Sequence, residues 1–320
     1  MDILREVMLY LSESPVARRI ATEAPFSKTV SRRFVAGETL AEAIAAARAT
    51  NAAGMTASLD YLGESVSSRE EARAAVAMVR GAVERIAAEG LDANVSVKLT
   101  QLGQDIDEAF LRENVTPLLE AAAERDMFIR FDMESSAYTQ RTLDFFRSMW
   151  DAGHTNTGVV LQSYLYRTEE DVRWANDLGV RVRLCKGAYK EPESVAYPDK
   201  ADVDASFVRC MKLLLSEGNY PGIATHDPAM LSATRAYARE KAIPASAYEF
   251  QMLYGVRRDL QRELVSAGYN LRIYIPFGEA WYPYFMRRMA ERPANMLFVM
   301  GNVVRESPLR VFMGGNGSGR

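Results

Sequence analysis

Three features of this 320-residue chain predict an α/β fold, a closed (β/α)8 barrel of the TIM type behind a helical N-terminal extension. Short β-rich runs alternate with amphipathic stretches rich in Ala, Leu and Glu. The repeat is about thirty residues, the length of one strand–helix–strand unit. Several helical stretches end on glycine just before the next β-rich run, at Gly90, Gly153, Gly179 and Gly268. That is the signature of a helix C-cap handing over to an αβ loop. Eight such units favour a barrel over an open doubly wound sheet, and such barrels take about 250 residues.

The first fifty residues precede any β-rich run and read as helical. Leu4, Val7, Met8 and Leu11 form an apolar stripe, and GETLAEAIAAARATNAAG is a second short helix. The stripe is short and its polar face is not rich in Lys and Arg, so packing on the barrel bottom or flank is favoured over a membrane-surface role. The β-rich runs follow in order: MTASLDYLG from Met55, NVSVKLTQLG from Asn94, MFIRFDME from Met127, TGVVLQSY from Thr157, VRVRLCKG from Val180, PGIATHD from Pro221, YEFQMLYG from Tyr248 and NLRIYIPFG from Asn270. Between them lie stretches such as SREEARAAVAMVRGAVERIAAEG and DEAFLRENVTPLLEAAAERD, with apolar residues at helical spacing and acids near their starts. The expected organisation is an extension over residues 1–50, a catalytic barrel over 51–312 and a flexible tail over 313–320.

Composition narrows the function. With 39 basic and 42 acidic side chains and a net charge of −3, the chain has no electrostatic footprint for nucleic acid. Cys185 and Cys210 are too few for a four-cysteine zinc site or a disulfide scaffold, and His154 and His226 do not complete zinc-finger spacing with them, so no metal is expected. No apolar run approaches the roughly 18–20 residues of a membrane helix, and the N-terminus lacks a basic-then-apolar export signal. A soluble protein of the reducing cytoplasm is the expectation. GxxxxGK[ST], a strand-borne GxGxxG, GxSxG and HExxH are all missing, so a Rossmann-held nucleotide is not expected.

In barrels of this kind the chemistry sits at the C-terminal strand ends. Polar residues concentrate there: Asn94, Ser96 and Lys98 share a face of strand two, and Arg130, Asp132 and Glu134 a face of strand three. Gln162 closes strand four, Arg181 and Arg183 share a face of strand five with Lys186 at its end, and Thr225 and His226 end strand six. Gln251 and Tyr274 lie in strands seven and eight. Parallel strands are covered on both faces, so these charges must pair with each other or with a ligand. Taken singly, Lys98 or Arg183 reads equally as half of a structural ion pair with Asp132, and His226 as a satisfied core histidine; together they point to a polar ligand in the barrel mouth, where perturbed pKa values are expected.

After strand eight comes WYPYFMRRMAERPANMLFV. Helical from about Tyr282, it puts Arg287 and Glu291 four apart and Arg288 and Glu291 three apart. An arginine pair fixed by an acid is a carboxylate clamp, although a solvated, salt-bridged helix face has the same spacing.

RLCKGAY (Arg183–Tyr189), IATHD (Ile223–Asp227), FQMLYG (Phe250–Gly255) and YFMRRMAER (Tyr284–Arg292) closely resemble the proline dehydrogenases. The resemblance runs over roughly residues 40–312. It implies a distorted (β/α)8 barrel carrying FAD that oxidises L-proline to Δ1-pyrroline-5-carboxylate, and at this length the stand-alone type without an aldehyde dehydrogenase half. Arg287 and Arg288 match the carboxylate-binding arginines, with Lys98 the third cation and Glu291 the orienting acid. Asp132 matches the aspartate beside the flavin, with Met133 contacting through its backbone. Gln162, Arg183, Lys186, Gly187, Ala188, Thr225 and His226 match flavin-contacting positions, and Leu253 and Tyr274 pack on the substrate ring. Asp132 and Arg183 are the catalytic pair, Arg183 near flavin N5. Lys190 departs from the aromatic of long family members, which puts its cofactor contact in doubt. The resemblance also implies a quinone acceptor and hence peripheral contact with the inner face of a membrane. A Schiff-base aldolase using Lys98 or Lys186 is the rival enzyme on this fold, and a barrel that only binds is the non-catalytic one.

Arg287→Met or Arg288→Met is expected to raise the KM for proline about tenfold or more, matching a lost charged hydrogen bond of about 1.5–3 kcal/mol. An unchanged KM would mean that the clamp is misassigned.

Overall fold

Each β-rich run forms a strand and each intervening stretch a helix in a computed structural model that describes residues 32–284 and 286. The helices are α1 (Leu40–Ala52), α2 (Arg69–Ala88), α3 (Glu108–Ala123), α4 (Ser136–Asp151), α5 (Thr168–Asp177), α6 (Lys200–Glu217), α7 (Pro228–Glu240) and α8 (Arg258–Ser266). The strands are β1 (Thr56–Tyr61), β2 (Ala93–Val97), β3 (Ile129–Phe131), β4 (Thr157–Gln162), β5 (Arg181–Cys185), β6 (Gly222–Ala224), β7 (Glu249–Leu253) and β8 (Leu271–Phe277). They pair in sequence order, all parallel, and β8 closes onto β1 with Ser58 opposite Tyr274. One unit spans Ala36–Glu279 and holds the whole barrel together with α1, which packs beside β1 and β8. The other unit is described only at residues 32–35, 280–284 and 286, where 281–284 and 286 are helical with Pro283 in the first turn. The expected apolar stripe at Leu4–Leu11 and the tail at 313–320 lie outside the described residues.

Local chemistry sets the element ends. Thr39 and Glu42 close a reciprocal capping box at α1, and Ser68, Asp107 and Asp227 cap α2, α3 and α7 through side-chain oxygens. Gly90, Gly153, Gly179 and Gly268 have φ of 61°, 96°, 70° and 81°, the left-handed conformation expected of them. β3 and β6 are three residues each, so Asp132, Met133, Glu134, Thr225 and His226 lie just past the strands, at the mouth.

The alternation along the strands has an uncommon sense. Leu59, Val95, Val97, Ile129, Phe131, Val159, Leu161, Val182, Leu184, Ile223, Phe250, Ile273 and Ile275 are buried in one apolar cluster with helix residues such as Val79, Val83, Leu118, Phe146 and Leu214. The alternate positions are buried but polar: Ser58, Asp60, Asn94, Ser96, Arg130, Arg183, Glu249 and Gln251. Barrel interiors are ordinarily filled by bulky branched apolar residues. Here the apolar core lies between the sheet and its helices, and hydrogen bonds fill much of the interior.

Close approach of strands depends on Gly158. A Cβ there would stand 2.3 Å from the Arg181 carbonyl oxygen and 2.6 Å from the Phe128 ring. That carbonyl is held by Arg130 Nη1 at 3.0 Å and has little freedom to retreat. Gly158→Ala is therefore expected to cost about 1–3 kcal/mol by overpacking, read as a lower denaturation midpoint; an unchanged midpoint would show that β4 and β5 can separate.

Candidate active site

Arg183, in the middle of β5, crosses the barrel interior. Its Nη1 donates to Asp132 Oδ1 at 2.8 Å, its Nη2 to Ser96 Oγ at 3.1 Å and more weakly to Ser58 Oγ at 3.5 Å, and its Nε to Gln251 Oε1. The guanidinium carbon stands 5.0 Å from the centroid of the Tyr274 ring, within cation–π range. Tyr274 donates its hydroxyl to Asp132 Oδ2 at 2.7 Å. Burial, then the negative charges of Asp132 and Asp60, push the Tyr274 phenol well above its ordinary value, so it stays a donor. Asp132 is thus fixed from both sides, and Arg183 is its ion-pair partner, as the single-pair reading of Arg183 had it.

Lys98, just past β2, pairs with Asp60 Oδ1 at 3.1 Å and not with Asp132, as one of the two single-pair readings had it. Register explains the choice, because Asp60 on β1 sits opposite Ser96, two residues before Lys98. Burial opposes the Lys98 charge, but Asp60 and then Asp132 outweigh it and hold the ammonium above its ordinary pKa. Asp60 was not singled out in the sequence. Its signal was an acid at the end of an apolar-alternating run, MTASLDYLG.

At the rim, Gln162 Nε2 donates to the carbonyl of Glu134 at 3.2 Å and weakly to that of Met133 at 3.4 Å, while its buried Oε1 has no partner among the described residues. Glu134 accepts from Thr100 Oγ1 at 2.7 Å, and burial raises its carboxyl above the usual range. Lys186 donates to Asp204 on α6 and, at 2.7 Å, to Asp227 at the start of α7. Gly187 has φ of 118°, and a Cβ there would run into the Tyr164 ring at 2.4 Å. Half-buried Ala188 follows it. Thr225 Oγ1 accepts from the Asp227 N–H at 3.1 Å, and His226 Nε2 from the N–H of Leu253, which ends β7. The segment after Ala188 is tied down by Glu191, which accepts from the Ser136 N–H at 2.7 Å and the Tyr164 hydroxyl at 3.1 Å, and from Ser136 Oγ.

Lys98, Asp132, Met133, Gln162, Lys186, Gly187, Ala188, Thr225, His226 and Leu253 thus stand at the C-terminal ends of the strands, above Arg183 and Tyr274. Arg181 does not join them; it lies at the opposite end of β5, over the Phe128 and Tyr220 rings at 5.5 and 5.3 Å. Arg130 also turns away, to the carbonyls of Val159 and Arg181. Arg287, Arg288 and Glu291 lie outside the described residues.

A family model described as "Proline dehydrogenase" matches residues 43–300. The chain belongs to the proline dehydrogenase family. It is 40% identical over 304 residues to Proline dehydrogenase 1 of Bacillus subtilis strain 168, covering 95% of this chain and 100% of the relative. It is 38% identical over 308 residues to the proline dehydrogenase of Deinococcus radiodurans, covering 95% and 99%. Among solved structures it is similar to proline utilization A of Bdellovibrio bacteriovorus inactivated by N-propargylglycine, with TM-score 0.78 and 27% identity. The match takes in 95% of this chain and 35% of that one, so this chain spans about a third of the length of the solved protein. Membership makes the chain an oxidoreductase of proline catabolism on a (β/α)8 barrel, acting on proline.

The rim cluster has a pH signature. Burial works against the Asp227 carboxylate, but the Lys186 ammonium and the Ala229 N–H hold it down at about 2. A depressed carboxyl contributes stability that is complete above its unfolded value, about 3.9, and is lost as pH falls through the folded one. Lys186→Gln is therefore expected to flatten the fall in thermal midpoint between about pH 4 and about pH 2. An acid limb as steep as that of the unaltered protein would show that the pair is not linked to folding.

Proposed function

We propose that this chain binds FAD in the barrel mouth and oxidises L-proline to Δ1-pyrroline-5-carboxylate, the first step from proline to glutamate. The observation that carries the flavin is the Gln162 amide. Its nitrogen is committed to two backbone carbonyls, which leaves a buried carbonyl oxygen at the end of β4, without a partner among the described residues, that suits an imide N–H. Lys186, Thr225 and His226 stand at neighbouring strand ends above Arg183, and Gly187 admits the Tyr164 ring beside the same loop. The residues present fit the group. FAD bound there would supply, at its N5, the two-electron acceptor for a hydride from the ring carbon next to the proline nitrogen.

The chain's own residues bind and orient. Lys98, kept cationic by Asp60, receives the proline carboxylate on this reading, while the Arg287, Arg288 and Glu291 clamp expected from the sequence lies outside the described residues. Leu253 and Tyr274 pack on the ring, and fixing it over the acceptor makes a bimolecular step an oriented one. Hydride loss needs a neutral amine, and no described side chain is assigned to its proton. Asp132 holds Arg183 and Tyr274 in place, so that positive charge faces the negative charge developing on reduction. A quinone acceptor, met at the inner face of a membrane by a cytoplasmic protein, rests on the family resemblance. No helix among the described residues is long and apolar enough to cross a membrane.

The aldolase reading fares worse on the same geometry. A Schiff-base lysine must be a neutral amine. Lys98 is instead held above its ordinary pKa by buried carboxylates, and Lys186 is clamped between Asp204 and Asp227.

Mixing the purified protein with L-proline without oxygen is expected to bleach the flavin absorbance. A colourless protein that stays inactive with added FAD, or a yellow one that does not bleach, would overturn the reading, and borohydride trapping of substrate on lysine would favour the aldolase.

A further inference from the structure

Gln251 contributes nothing to the proposed chemistry directly, yet it is buried in the barrel interior on β7 between two charged groups. Its Oε1 accepts from Arg183 Nε, and its Nε2 donates to Glu249 Oε1 at 2.6 Å. Glu249 in turn accepts from Arg272 Nε at 2.8 Å, and Arg272 Nη1 is tied to the Ala57 carbonyl at 2.7 Å. A line of hydrogen bonds therefore runs from the β1 backbone through Arg272, Glu249 and Gln251 to Arg183, and on to Asp132 and Tyr274.

The line has a direction. An amide offers a donor at one end and an acceptor at the other, whereas an ionised carboxylate only accepts and a guanidinium only donates. Glu249, ionised by its pairing with Arg272, fixes the amide nitrogen on its own side. The amide oxygen is thereby left for Arg183; a flipped amide would set N–H against N–H at one end and oxygen against oxygen at the other. Space is reserved for this group as well. Gly222 on β6 is paired with both Arg183 and Glu249, and a Cβ there would stand 2.3 Å from Gln251 Nε2 and 2.8 Å from its Cδ. Glycine weakens a strand interior, and its presence here matches a close approach.

We infer that Gln251 is a positioning residue that sets the rotation of the Arg183 guanidinium, with the Glu249–Arg272 pair dictating which end of the amide faces it. This rests on the reading of Arg183 as the cation that faces the flavin. Without the amide, Arg183 loses its Nε partner and keeps Asp132 and Ser96, which leaves the guanidinium free to pivot about the Nη side. Its charge then meets the reduced cofactor less well.

The test uses the FAD-loaded protein with Gln251→Met, which keeps volume and removes both hydrogen bonds, beside Gly222→Ala, which displaces the amide and leaves Arg183 and Glu249 unaltered. Gln251→Met is expected to lower the equilibrium constant for two-electron flavin reduction about tenfold, a potential shift of about −30 mV. It should also lower kcat about tenfold and move the KM for proline less than twofold; Gly222→Ala should act in the same direction. On an Arg183→Met background, Gln251→Met should shift the potential no further. If Arg183→Met shifts the potential and Gln251→Met does not, the inference falls and the reading of Arg183 stands. If Arg183→Met leaves the potential unchanged, both fall. Additive shifts in the double variant would also overturn the inference, because Gln251 would then act independently of Arg183. Should Gln251→Met fail to fold, Gly222→Ala decides by the same potential and kcat readings.

Discussion

A guanidinium in the middle of a closed parallel barrel is the constraint around which this structure is arranged. Removing a charge from water costs several kcal/mol even after relaxation, and the cost is recovered only when every donor finds an acceptor in good geometry. Arg183 meets most of that requirement, with four hydrogen bonds and a ring contact drawn from five other strands: Ser58 on β1, Ser96 on β2, Asp132 after β3, Gln251 on β7 and the Tyr274 ring on β8. Those partners occupy inward positions that a barrel ordinarily gives to Val, Ile and Leu. The apolar core is correspondingly displaced to the outer strand faces, where Leu59, Phe131, Val182 and Phe250 pack with the helices. Fold and site are one problem here, since the groups that hold the cation also fill the interior.

The architecture was legible because its signals are local and repeated. Eight β-rich runs, helical spacing between them and glycine at the helix ends need no tertiary knowledge, and the strands fall within those runs except that β2 begins one residue early, at Ala93. The polar faces of strands two, three and five were legible for the same reason, as period-two patterns. What stayed hidden depended on register or on distance in sequence. Lys98 takes Asp60 because β1 and β2 align that way, and Lys186 takes Asp204 and Asp227 because α6 and the start of α7 return to the same strand ends. Arg181 shares a face with Arg183 in sequence, yet sits at the other end of the strand over aromatic rings. Periodicity gives the face of a residue and not its height along the barrel.

Two kinds of electrostatics coexist at the mouth. The Lys98–Asp60 and Arg183–Asp132 pairs are buried, so salt screens them weakly and loss of one partner leaves a desolvated charge behind. The Lys186 cluster is partly open and is joined by exposed Lys200, and it responds to ionic strength as surface charges do. Interior cations are thereby set by the fold, while the rim can adjust to what binds.

Glu191 joins two elements that the fold could have left independent. Ser135 gives α4 no side-chain cap, and the Glu191 carboxylate takes that place at the Ser136 N–H while also receiving the Tyr164 hydroxyl. The strand-to-helix segment between β5 and α6 therefore caps the first turn of a helix elsewhere in the ring. Lifting that segment from the rim uncovers a helix N–H and strips a phenol of its acceptor in the same movement. The start of α4 and the segment after β5 are thereby coupled through one carboxylate, so that what loosens either end loosens the other.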